Sequence, residues 1–63
     1  MNKKNREALI KLMDEYRVSI QIVANILNME KGSIRVFRSK SGNDITDNNL
    51  ELLELKLAAK YDK

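Results

Sequence analysis

The sequence predicts an all-α domain of four helices, and three observations carry that expectation. Apolar residues recur at i, i+3, i+4 and i+7, or on one comparable stripe, in three stretches, which is the spacing of a single helix face. No segment alternates apolar and polar residues for long, so strand signals are weak. There is no Pro, and the two Gly, Gly32 and Gly42, fall outside those stretches. The 63 residues carry no internal repeat and no low-complexity segment, and are expected to form one domain.

The first stretch is Leu9, Leu12, Met13 and Tyr16, giving a helix over about 5–17. The second is Ile20, Val23, Ala24 and Leu27. Ser19 is a favoured N-cap for it, and Asn28 tolerates the left-handed conformation of a helix end, so the helix runs over about 19–27. Met29 and Glu30 form the turn. A short third helix follows over about 31–38, with Ile34 and Phe37 facing inward. Its start is weak: Glu30 is a poor cap, Gly32 weakens the first turn by up to ~1 kcal/mol, and Ser33 is an alternative, later cap.

Ser39-Lys40-Ser41-Gly42-Asn43-Asp44 is turn chemistry and reads as an exposed loop, with Ile45 anchoring its end in the core. Thr46, Asp47 and Asn48 can all cap the last helix, over about 47–61, and Glu51 stands three after Asn48, a capping-box spacing. Leu50, Leu53, Leu57 and Tyr61 fall within about 80° of one another and should pack on the first helix. Asp47 and Glu51 near the start and Lys56 and Lys60 near the end suit the helix dipole.

Composition narrows the function. The chain has no Cys and no His, so disulfides, the usual zinc sites, thiol nucleophiles and imidazole bases are excluded. Asp14-Glu15 and Asp44/Asp47 are acidic pairs on a helix end, a loop and a cap, which gives no convergent site, so no enzyme activity and no cofactor are expected. No apolar run approaches the ~20 residues of a membrane span, and no signal-peptide pattern opens the chain, so the expected location is cytoplasmic. A domain this small hides only about 60 % of its unfolded surface, so a staple is expected; without disulfide or zinc, regular helix packing and self-association remain.

Charge is unevenly placed. Residues 1–30 hold five basic and four acidic side chains, and residues 44–63 hold three basic and five acidic. Residues 31–43 hold Lys31, Arg35, Arg38 and Lys40 with no acid. A local cluster of this kind suits an anionic partner touching one element; it also suits a merely solvated basic loop.

The second and third helices are joined by a very short turn. Ala24 allows close approach, while Leu27, Met29, Ile34 and Phe37 fill the angle, which is the pattern of a helix-turn-helix. The run from Ser19 to Phe37 resembles the helix-turn-helix of phage Cro proteins and repressors, the lambda-repressor-like, xenobiotic-response-element class, with Ser19, Ala24, Leu27, Met29, Ile34 and Phe37 in the family's places. The resemblance implies a lambda-repressor-like DNA-binding domain of four or five helices, with the motif at about 19–38. Asn28 stands where the family's turn usually has Gly, and Ile20 where it commonly has a Gln that touches DNA.

The third helix is amphipathic, and an α-helix of this kind fits the major groove. The family pattern places Lys31, Gly32, Ser33 and Arg35 toward bases. Phosphate contacts are expected from Arg38, Ser39 and Lys40, and from Ser19, Ile20 and Gln21 through free N–H groups at the start of the second helix. Arg35 and Arg38 as plain surface charges are the competing reading. Leu52, Leu55 and Ala59 form a second stripe on the last helix that a monomer does not need, and Ile22 and Ile26 are a similar excess on the second. These five residues are the expected homodimer interface.

The function expected is therefore a sequence-specific transcriptional regulator, a phage or prophage Cro-like repressor. It would bind an inverted-repeat operator in double-stranded DNA as a dimer, without a small-molecule ligand. A small helical protein–protein interaction or inhibitor protein, and a DNA architectural or excisionase-like factor, are the alternatives.

Overall fold

The structure, a computed structural model, describes residues 3–61. It is all-helical, with α1 at Arg6–Tyr16, α2 at Ile20–Leu27, α3 at Lys31–Arg38 and α4 at Asp47–Tyr61, and no strand among the described residues. Each predicted helix is present, with ends displaced by at most one residue.

Local chemistry explains where the helices stop. Ser19, in extended conformation, caps α2 by accepting a hydrogen bond from the Ile22 N–H at 3.4 Å. Asn28 ends α2 in the left-handed region at φ 57°, and the next N–H, that of Met29, reaches back to the Ala24 carbonyl at 2.8 Å. Together these satisfy carbonyls the helix would otherwise leave open. Arg17 ends α1 in the same way at φ 54°, with the Val18 N–H on the Met13 carbonyl at 3.1 Å. After each left-handed residue comes an apolar side chain, Val18 or Met29, that turns back onto the core.

Two expectations about caps need correction. α4 begins at Asp47 because Thr46 caps it, its hydroxyl accepting from the Asn49 N–H at 3.2 Å. The third position of the helix is then Asn49, so the Asn48–Glu51 capping box does not form. Ser33 is not a late cap: α3 is helical from Lys31, and the Ser33 N–H bonds the Glu30 carbonyl at 3.0 Å. Glu30 supplies no side-chain cap, as expected.

The core draws on every helix. Leu9, Val23, Ile34, Leu53 and Leu57 are fully buried, and Ile45 joins them from the loop before α4. Removing any one of these large side chains leaves a cavity and costs about 2–5 kcal/mol. Ala24, 1 % exposed, lets α2 and α3 approach closely. α4 lies against both α1 and α2, where the sequence suggested α1 alone. Tyr16 and Tyr61 close the far end of the α1–α4 contact, ring centroids 6.4 Å apart. Ile22 and Ile26 are half-buried and pack against the core, so α2 leaves less spare apolar surface than its sequence suggests. Among the described residues, no helix is long and apolar enough to cross a membrane.

The segment before α1 is stitched to the α3–α4 connection. The Lys3 ammonium donates to the carbonyls of Val36, Ser39 and Ser41. Asn5 donates from its backbone to Asp44 at 2.9 Å, and from its amide to the Ile45 carbonyl and the Asp47 carboxylate. Arg6 donates from Nε to the Arg38 carbonyl at 2.7 Å. Three of the four residues at 3–6 thus hold a loop more than thirty positions away.

Candidate nucleic-acid interface

α3 is oriented by its inward pair. Ile34 is fully buried and Phe37 half-buried, one turn apart on the same face. At about 100° per residue the opposite face falls on Gly32 and Val36, with Lys31 and Arg35 along one flank and Ser33 along the other. All five are exposed. The expected base-facing residues, Lys31, Gly32, Ser33 and Arg35, are therefore on accessible surface of one helix. Val36, 41 % exposed, shares that face and was not expected there. An apolar residue beside Ile34 and Phe37 reads as core; only its angular place excludes it.

The outer face is smooth at its centre. Nothing lies within 4 Å of where a Gly32 side chain would begin, so Gly32 leaves bare backbone open to close approach. Val36 is held from one side by Gly42, which sits at φ +84°. A Cβ on Gly42 would come within 2.7 Å of a Val36 methyl.

Beside α3, an open cleft is lined by Arg6, Ile10, Ile20, Arg35, Arg38 and Ser39. Three helices meet there. α1 contributes Arg6, α2 contributes its first residue, Ile20, and α3 contributes Arg35 and Arg38. With Ser19 as cap, the Ile20 and Gln21 N–H groups have no acceptor inside the helix, and the positive end of the α2 dipole opens at the cleft. Among the described residues the ion pair is Lys4–Asp47 at 3.5 Å, and none of the three arginines enters one. Three guanidiniums beside free N–H donors, with no acid lining the cleft, suit an anion with several acceptor oxygens. Concavities of comparable size on the outer side of α1 and along the start of α4 carry Glu7 and Asp14, and Asp47, Glu51 and Glu54, and do not.

The predicted phosphate contacts fall into two groups. Arg38 lines the cleft and Lys40 is exposed in the following turn. Ser39 also lines it, but its hydroxyl lies against the Val36 carbonyl at 2.8 Å and helps close α3. The Gln21 amide bonds Asn25 at 3.0 Å along its own helix, which leaves its backbone N–H rather than its side chain for a ligand. Arg6 was missed. Nothing within its own stretch of sequence marks it, because the cleft brings it to basic residues and a helix start on α3 and α2, far along the chain. Leu52, Leu55 and Ala59 are exposed on α4, away from its buried stripe. No protein family, curated protein or solved structure matches this chain.

Proposed function

We propose that the protein is a sequence-specific regulator of transcription, of the phage Cro and repressor type, that binds double-stranded DNA with α3 in the major groove. The observation that carries this reading is the cleft beside α3, where Arg6, Arg35 and Arg38 converge with the open N-terminus of α2. A phosphodiester seated there is bound by Arg6, Arg38 and the α2 backbone donors, which fixes the depth and register of α3 and leaves Arg35 for the bases. The outer face of α3 then meets base edges.

Within that arrangement each side chain has a role set by its chemistry. Lys31 and Arg35 donate to guanine O6 and N7, and Ser33 bonds either base type. Gly32 lets the backbone approach, and the Val36 methyls suit the methyl group of thymine. Arg38 and Lys40 add phosphate contacts at the end of α3. Two copies on a two-fold axis would read the halves of an inverted repeat about 34 Å apart. Occupying a promoter is then sufficient for repression.

An NMR titration of the whole chain with a duplex of mixed sequence tests the placement. Backbone amide shifts should move at Ile20, Gln21, Gly32 and Val36 and stay fixed along the exposed side of α4. Shifts confined to α4, or none at all, would remove this reading.

A further inference from the structure

α4 carries a second apolar face with its own charge pattern. Leu52 is 40 % exposed, Leu55 64 % exposed, and Ala59 is exposed beside them, all within about 60° of one another around the helix. The buried stripe, Leu53 and Leu57 with half-buried Leu50 and Tyr61, lies opposite. The spacing of Leu52, Leu55 and Ala59, three then four residues, is that of the a, d and a positions of a coiled-coil seam. In that register Glu51 falls at g and Lys56 at e. Each stands about 40° beyond the apolar stripe, on opposite flanks, and neither enters an ion pair among the described residues.

We propose that this face docks against the same face of a second copy of the chain, with the two α4 helices parallel and Glu51 of each copy paired with Lys56 of the other. The charge arrangement selects the direction. In a two-fold antiparallel pair each flank meets its own equivalent, so Lys56 faces Lys56. In a two-fold parallel pair opposite flanks meet, and a g residue reaches the e residue five positions on in the other helix. The two symmetric Glu51–Lys56 pairs then flank Leu52, Leu55 and Ala59. Association removes exposed leucine from water, which a chain this small needs.

The inference deepens the dimeric part of the reading above, and its test is read without DNA. A dimer that ignores DNA sequence removes only the regulator reading. A monomer that reads DNA sequence removes only this one.

Sedimentation equilibrium of the full chain decides it, with circular dichroism confirming that each variant stays helical. The wild-type chain should dimerise, and Leu55→Glu, at an exposed position, should be monomeric and folded. Glu51→Lys and Lys56→Glu should each raise the dimer Kd by about tenfold, since each replaces two attractions by two repulsions. Mixing these two variants should restore near wild-type association, because opposite charges meet again in the mixed pair. A monomeric wild-type chain, a dimeric Leu55→Glu chain, or a mixture no tighter than its separate components would overturn the proposal.

Discussion

The Lys3 ammonium donates to the Ser39 carbonyl at 2.9 Å, across 36 positions of sequence. With the Val36 and Ser41 carbonyls it uses all three of its donors on the end of α3 and the loop that follows, and Lys3 as a residue is 9 % exposed. A cation at a helix C-terminus also opposes the negative end of the dipole. The helix that carries the candidate DNA-reading face is thus fixed at its end, while its start has no side-chain cap.

Lys3→Met should therefore destabilise the fold by about 1–3 kcal/mol, because three carbonyls lose a charged donor together. Thermal unfolding checks it, with about 4–8 °C lost per kcal/mol in a domain of this size. An unchanged melting temperature would mean that these contacts contribute nothing to α3.

The two glycines should respond in opposite directions. Gly42→Ala places a Cβ against Val36 at a positive φ, and should cost at least about 1 kcal/mol. Gly32→Ala meets open space inside a helix and should stabilise by up to about 1 kcal/mol. The same Gly32→Ala change should weaken binding to DNA if bare backbone at that position approaches the bases. Denaturant titration of both variants, with DNA affinity measured on the second, separates these effects.

Much of this architecture is legible in the sequence because it is set locally. The bounds of the helices follow from Ser19, Asn28 and the spacing of Leu and Ile, all within a few residues of the feature they determine. Ile45 reads as an anchor because it is the apolar residue that ends a polar loop, and it is 1 % exposed. The contacts of Lys3, Asn5 and Arg6 are not legible. They join side chains to backbone carbonyls and carboxylates 32–42 positions away, where no periodicity operates. Val36 was hidden by its hydrophobicity, and the α4 cap by three candidate caps in succession.

Arginines at the cleft should separate by role. Arg35→Ala should lower affinity for the preferred sequence by about 1–3 kcal/mol, relax selectivity at one base position and leave thermal stability nearly unchanged. Arg6→Gln should weaken binding to all sequences alike and reduce the salt slope by about one. Fluorescence anisotropy against preferred and scrambled duplexes over a range of salt measures both. Equal loss of selectivity in the two variants would contradict the assignment of one to bases and the other to phosphate.

Acid should weaken the tie between the start of the chain and α4. The Asn5 amide, and after it the Lys4 charge, hold the Asp47 carboxyl below the usual aspartate value. A carboxyl whose folded pKa is depressed contributes stability above its unfolded value, about pH 4, and loses it as pH falls through the lower folded value. Asn5→Ala should flatten this part of the pH–stability curve. Unfolding followed from neutral pH to pH 2 gives the comparison, and identical curves for the two proteins would refute the coupling.

Selection from a random duplex library, with sequencing of the bound fraction, reads directly whether α3 distinguishes DNA sequences. One motif should be enriched, an inverted repeat with half-sites about one helical turn apart. Arg35→Ala should lose preference at a single symmetric position within it. A bound fraction indistinguishable from the starting library would contradict the claim that α3 reads DNA sequence.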